Sequence, residues 1–127
     1  MLLSINEKDN RPIYIQITGQ IKEQISNGTL QAGDELPSVR ELADSLGINM
    51  HTARSAYLKL RDQGIINLRL GRRARIARMR VPEPDAELEA DIASRFKELI
   101  TDALLMGMSR DNLRELVEEQ LAGLKDE

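Results

Sequence analysis

Apolar residues recur at three- and four-residue steps near the start of the chain, at Tyr14, Ile17, Ile21 and Ile25. That period lines one face of an α-helix. Pro12, suited to the first helical position, marks its start. Asn27-Gly28 ends it, because Gly readily takes the left-handed conformation of a helix C-terminus. Gln31-Ala32-Gly33-Asp34 reads as a turn and Glu35-Leu36 as a short strand.

A second helix opens at Pro37-Ser38. Ser38 followed by Glu41 is a capping box, in which each side chain can satisfy the other's free backbone N–H. Val39, Leu42, Ala43 and Leu46 form its apolar face, and Gly47 stops it. A third helix, capped by Asn49, runs through Ala53, Ala56, Tyr57 and Leu60 to Gly64. Two short helices joined by a Gly-containing turn of this length predict a helix-turn-helix. Ile65 to Leu70 then reads as a strand, Gly71-Arg72-Arg73 as a turn and Ala74 to Ala77 as a returning strand. A hairpin directly after the second helix of such a motif is a wing.

The pattern then breaks at Val81-Pro82-Glu83-Pro84, where two prolines make a stiff spacer. Beyond it, Leu88, Ile92, Phe96, Leu99, Ile100 and Ala103 line one face of a fourth helix. Met106-Gly107-Met108 interrupts it. Ser109 caps a fifth helix carrying Leu113, Leu116, Val117, Leu121 and Leu124. The expected fold class is α+β, mainly α: a winged helix-turn-helix over residues 1–80, a linker at 81–84 and a two-helix hairpin over 85–127. Two helices alone have too little partner surface to cover both stripes. Packing against a second copy, as in a four-helix arrangement, would bury them, so these residues are the candidate dimerisation set.

Composition narrows the chemistry. Cysteine is absent, which excludes disulfides, thiol redox chemistry and Cys-based zinc sites. No stretch approaches the roughly 20 apolar residues of a membrane span, and the residues MLLSINEKDNRP hold no basic region followed by a long apolar run. The expectation is a cytoplasmic protein without a membrane partner. His51 is the only histidine, and no phosphate cradle, nucleophile elbow or supported carboxylate pair appears. Neither an enzyme nor a cofactor is expected.

Charge changes the picture more. The net −3 conceals an asymmetry: residues 1–81 carry 13 basic and 8 acidic residues, a net +5, while residues 82–127 carry 5 and 13, a net −8. A basic module joined to an acidic one points to a nucleic-acid partner for the first. Arg69, Arg72, Arg73, Arg75, Arg78 and Arg80 crowd the hairpin, which is either a solvated edge or a phosphate-contacting wing. On the third helix, Asn49, Met50, His51, Thr52, Arg54 and Ser55 lie near the end that enters the major groove in a helix-turn-helix. There Asn can pair with adenine, Arg with guanine, and Thr with phosphate or a thymine methyl. Arg40 sits in the first turn of its helix, where the dipole disfavours a cation. Its partner is a DNA phosphate or, four residues on, Asp44.

These motifs resemble the GntR family of bacterial regulators. The resemblance rests on Leu36-Pro37-Ser38-Val39-Arg40-Glu41-Leu42-Ala43, on Leu46-Gly47-Ile48-Asn49, and on Thr52-Ala53-Arg54. It continues through Ala56-Tyr57, Leu60, Gly64-Ile65-Ile66 and Gly71, with Pro12 to Ile17 similar to the family's first helix. The resemblance implies DNA contact by Arg40, by Asn49, Met50, His51 and Thr52, by Arg54, and by the wing tip at Gly71. Two departures stand out. The family wing reads Gly-x-Gly-Thr-Phe-Val, but here it is Gly71-Arg72-Arg73-Ala74-Arg75-Ile76, which implies a more electrostatic wing. Met50 stands where many relatives have a polar or basic residue.

The short helical tail is similar to that of the YtrA subfamily, which implies a homodimeric repressor, often of transporter operons. Two-fold symmetry would match a near-palindromic operator in double-stranded DNA. A small-molecule effector is not identified by the sequence; any such site would fall at the dimer or interdomain junction, since a lone hairpin hardly encloses roughly 300 Å³. The alternative is a winged-helix protein–protein adaptor working through the acidic tail.

Overall fold

The structure, a computed structural model of the chain, describes residues 2–69, 71–78 and 85–124. Its elements run α1 (Ile13–Ser26), α2 (Val39–Leu46), α3 (Met50–Asp62), β1 (Ile66–Asn67), β2 (Arg75–Ile76), α4 (Ala86–Leu105) and α5 (Arg110–Ala122). The chain divides into two compact units, one holding α1 to β2 and the other α4 and α5. Leu70, Arg80 and the Val81–Pro84 spacer lie outside the described residues.

In the first unit α3 is the central element, packed by α1, α2 and β1. Ala53 and Ala56 are fully buried, and their small side chains let neighbouring helices approach closely. Tyr57 and Leu60 complete that face against Ile17, Ile21, Leu36, Leu42, Ile66 and Ile76. The apolar stripe of α1 is buried at Ile17 and Ile21 and half-buried at its ends, Tyr14 and Ile25. Pro12 differs from expectation by one position. Its ψ of 147° makes it the residue before the helix rather than the first within it.

The α2–α3 corner is built from local signals. Ser38 Oγ accepts from the Glu41 N–H at 3.1 Å, opening α2. Gly47 closes it with φ 66° and ψ 36°, a left-handed conformation costly to any residue with a Cβ. The Ile48 N–H then returns to Ala43 O at 3.0 Å, satisfying a carbonyl that the helix end would leave free. Asn49 Oδ1 accepts from the His51 N–H at 2.7 Å and starts α3.

The hairpin is shorter than its sequence predicts. Only Ile66↔Ile76 and Asn67↔Arg75 pair between β1 and β2. The Ala77 N–H adds one further bond, to Ile65 O at 2.9 Å, and the returning strand has a neighbour on its other side as well. Leu36 N–H donates to Ala74 O at 2.8 Å and Ile76 N–H to Asp34 O at 2.9 Å. The expected Glu35-Leu36 strand is thus a single antiparallel bridge, Glu35 to Arg75.

The second unit is a two-helix hairpin. Asp85 Oδ1 caps α4, accepting from Glu87 N–H at 2.9 Å, and Ser109 Oγ caps α5, accepting from Asn112 N–H at 3.0 Å. Gly107, with φ 98°, turns the chain between them. No residue of either helix is buried. Leu124 lies just past the end of α5 rather than on its face. Among the described residues, no helix is long and apolar enough to cross a membrane.

Candidate nucleic-acid interface

On α3, residues at four- and three-residue steps share a face. Met50, Arg54, Leu58 and Arg61 follow that step, opposite in part to the buried Ala53/Ala56/Leu60 side. With His51, Tyr57, Val39 of α2, and Leu68 and Arg69 after β1, they line a shallow groove of about 520 Å³. The recognition helix and the wing are thereby two walls of one surface. Around Arg69 it continues into a smaller hollow of about 220 Å³ lined by Asn67, Arg72, Arg73 and Arg75.

The expected site residues do not all share this groove. Met50, His51 and Arg54 do. Thr52 and Ser55 are absent from its lining, Thr52 half-buried and Ser55 exposed. The Ser55 hydroxyl donates to His51 O at 2.8 Å, back within its own helix. Asn49 is exposed, and its Oδ1 accepts the cap bond, so one of its two acceptor positions is already engaged. Arg61 and Leu58 were overlooked by sequence reasoning. Their signal in the sequence is the three- and four-residue step from Met50 and Arg54.

The arginines fall into two groups. Arg40, Arg54, Arg69 and Arg72 are exposed and have no ion pair or hydrogen bond from their side chains among the described residues. Arg40 in particular does not pair with Asp44. Arg73 and Arg75, by contrast, are engaged. Arg73 Nη1 and Nη2 donate to Glu41 Oε2 and Oε1 at 2.8 and 2.5 Å. Arg75 Nη2 donates to Glu35 Oε1 at 2.5 Å, and its Nη1 to Gly33 O at 2.9 Å. The paired Arg73 guanidinium holds the Glu41 carboxyl below its ordinary range, and Glu41 raises Arg73 in turn. The return half of the expected capping box therefore takes second place, since the Glu41 carboxylate is turned chiefly to the wing. Tyr57 anchors the groove floor: its hydroxyl donates to Pro37 O at 2.6 Å, and burial pushes its pKa up.

Gly71 has φ 74° at the wing turn, where the Arg72 N–H closes on Arg69 O at 3.1 Å. A Cβ there would meet open space, so the glycine answers a backbone requirement rather than a crowded one.

Residues 13–76, which hold both walls of the groove, match the model of the bacterial regulatory proteins of the gntR family. The chain belongs to the GntR family. It is 35% identical over 124 residues to the transcriptional repressor YtrA of Bacillus subtilis (strain 168), covering 98% of this chain and 95% of that protein. Among solved structures it is similar to a transcriptional antiterminator from Listeria monocytogenes EGD-e, with TM-score 0.84 and 33% identity over 94% of this chain and 89% of the other. The AraR DNA-binding domain, solved in complex with its operator ORX1, matches at TM-score 0.54 and 25% identity over 60% of this chain and 96% of that one. Members of the family are regulators of transcription rather than enzymes.

Proposed function

We propose that this chain is a homodimeric transcriptional repressor, acting in the cytoplasm on a near-palindromic operator in double-stranded DNA. One observation carries the DNA reading. The groove between α3 and the wing presents Arg54, Arg69 and, in the adjoining hollow, Arg72, with no carboxylate paired to them among the described residues. Arg40 is exposed and follows Val39 in sequence, but lines neither the groove nor the hollow. Unpaired guanidiniums on one surface suit phosphate oxygens and the acceptor edge of guanine.

Met50, His51 and Arg54 meet base edges in this reading, with Arg61 on the same face. Arg40, Arg69, Arg72 and the Gly71 turn meet the backbone. Thr52 and Ser55 reach the strand flanking the other side of α3, and Asn49 contributes mainly as a cap. Arg73 and Arg75 act through the wing's placement. The repressor B. subtilis YtrA, similar along nearly its whole length, supports the sign of regulation, and the YtrA-like tail points to transporter operons as targets.

Dimerisation is supported by what the second unit leaves uncovered. Leu88, Ile92, Phe96, Leu99 and Ile100 on α4 are exposed, as are Leu116, Val117 and Leu121 on α5 and Leu124 beyond it, while Leu113 is half-buried. Phe96, Ile100, Leu104, Leu113 and Val117 line a furrow between the two helices that a second copy could fill.

Footprinting the purified protein on DNA upstream of its own gene tests the whole reading, with two protected half-sites related by a dyad as the expected result. On that DNA, Arg54→Ala should weaken binding and flatten the salt dependence by about 0.9 per protomer for a lost phosphate contact, or relax base preference if the contact is to guanine. Wild-type binding and selectivity in a folded Arg54→Ala variant would overturn the assignment.

A further inference from the structure

We propose that Glu41 sets how well this protein discriminates its operator from other DNA, by withholding Arg73 from phosphate and fixing the wing tip to α2. The proposal rests on the DNA-binding reading above.

The base of the wing is secured by backbone bonds on both sides. Gly33 N–H to Ile76 O, at 2.8 Å, joins the bonds from Leu36 and Ile76 already described. The tip has no such ladder. Among the described residues, its backbone is closed only by the Arg72-to-Arg69 turn bond. What ties it to the helix-turn-helix is the Glu41–Arg73 pair, made across 32 residues of sequence. Two parallel N–H···O bonds fix orientation as well as distance, because both groups are planar forks.

Stability is not the purpose such a pair serves best. Both side chains are about half exposed, at 47% for Arg73 and 50% for Glu41, and exposed ion pairs contribute little. Its consequence for DNA binding is larger. A free arginine on phosphate adds affinity for any sequence, through about one released counterion. Engaged with Glu41, Arg73 adds none, while the tip it holds keeps Arg72 at a constant position relative to the groove. The carboxylate thus subtracts sequence-independent affinity and preserves geometry, and both effects raise selectivity.

The test uses the full chain, as wild type, Glu41→Gln and Glu41→Gln/Arg73→Ala, on the footprinted DNA and on a random duplex of equal length across a salt series. Glu41→Gln should release Arg73. On random DNA the log–log salt slope should steepen by about 0.9 per protomer, and the preference for the footprinted DNA should fall. The double variant should lose that extra slope. Thermal unfolding of each variant verifies that it is folded. A Glu41→Gln slope and preference equal to wild type would overturn the proposal. So would a steepening that persists without Arg73, since it would reflect the missing negative charge alone. Wild-type protein with no salt-dependent DNA binding would overturn the DNA reading itself, an outcome distinct from both.

Discussion

Glu41 is asked to serve a helix terminus and a wing, and its chemistry records which partner prevails. Its carboxyl lies below the ordinary 4.5 chiefly because Arg73 donates to it. A folded-state value below the unfolded one means that the pair supports the folded wing above the unfolded pKa. That support is lost as pH falls through the lowered folded value. A side-chain carboxyl titration by NMR should place the Glu41 midpoint below 4.5, and Arg73→Gln should return it toward that value; a midpoint at or above 4.5 in the wild type would contradict the pairing. At the helix-turn-helix corner the constraint is backbone rather than charge. Gly47→Ala meets no steric obstacle, yet forces a Cβ into left-handed geometry at about 1–2 kcal/mol. Denaturant unfolding should show that loss, and an unchanged midpoint would mean the corner has another way to turn.

Helix α1 does more than contribute its stripe to the core. Gln16, Gln20 and Gln24 lie four residues apart, about 6 Å along the axis, close to the two-residue repeat of an extended strand. Each side-chain amide meets alternate residues of the N-terminal segment. Gln16 both accepts from Asn6 N–H and donates to Asn6 O; Gln20 does the same with Ser4. The third rung is half made: Gln24 Nε2 donates to Leu2 O at 2.7 Å, while its buried Oε1 has no partner among the described residues. Between the rungs, Leu3 and Ile5 pack onto the core. Gln20→Ala should therefore accelerate hydrogen exchange at the Ser4 amide and destabilise the domain by about 0.5–1.5 kcal/mol. Exchange at Ser4 unaffected by the substitution would show that the segment docks through Leu3 and Ile5 alone.

Across the whole molecule, the two units contrast in how their apolar residues are covered. The winged unit closes a core around Tyr57 and its neighbours, whereas Phe96 and Leu99 on α4 remain 51% and 67% exposed. A carboxylate placed at the centre of that stripe would be unpaired and desolvated in a dimer but harmless on a free helix. If the proposed dimer forms through this face, the wild type should sediment as a dimer and Phe96→Glu as a monomer, with the winged unit still folded. Operator affinity should drop by roughly a hundredfold or more as two linked half-site contacts become one. A Phe96→Glu protein that sediments like the wild type would remove this face from the interface.

The helices, the caps at Ser38, Asn49 and Ser109 and the corner at Gly47 were legible in the sequence because each depends on neighbours within a turn or two, whereas the Asp85 cap of α4 was not among the expectations. Ser38, Asn49 and Ser109 cap helices through bonds spanning two or three residues, and the buried faces follow the 3.6-residue period. The same locality made the basic hairpin and the candidate recognition helix visible. Only tertiary structure decided which arginines are free. Arg72 and Arg73 are adjacent and alike in sequence, yet among the described residues one has no partner and the other is gripped by a carboxylate 32 positions away. It also set Gly33 to Leu36 beside the returning wing strand, and gave the glutamines of α1 an N-terminal segment to hold. Local periodicity reports which face of an element is apolar. It does not report which polar groups meet across the fold, because those pairings depend on how distant segments are brought together.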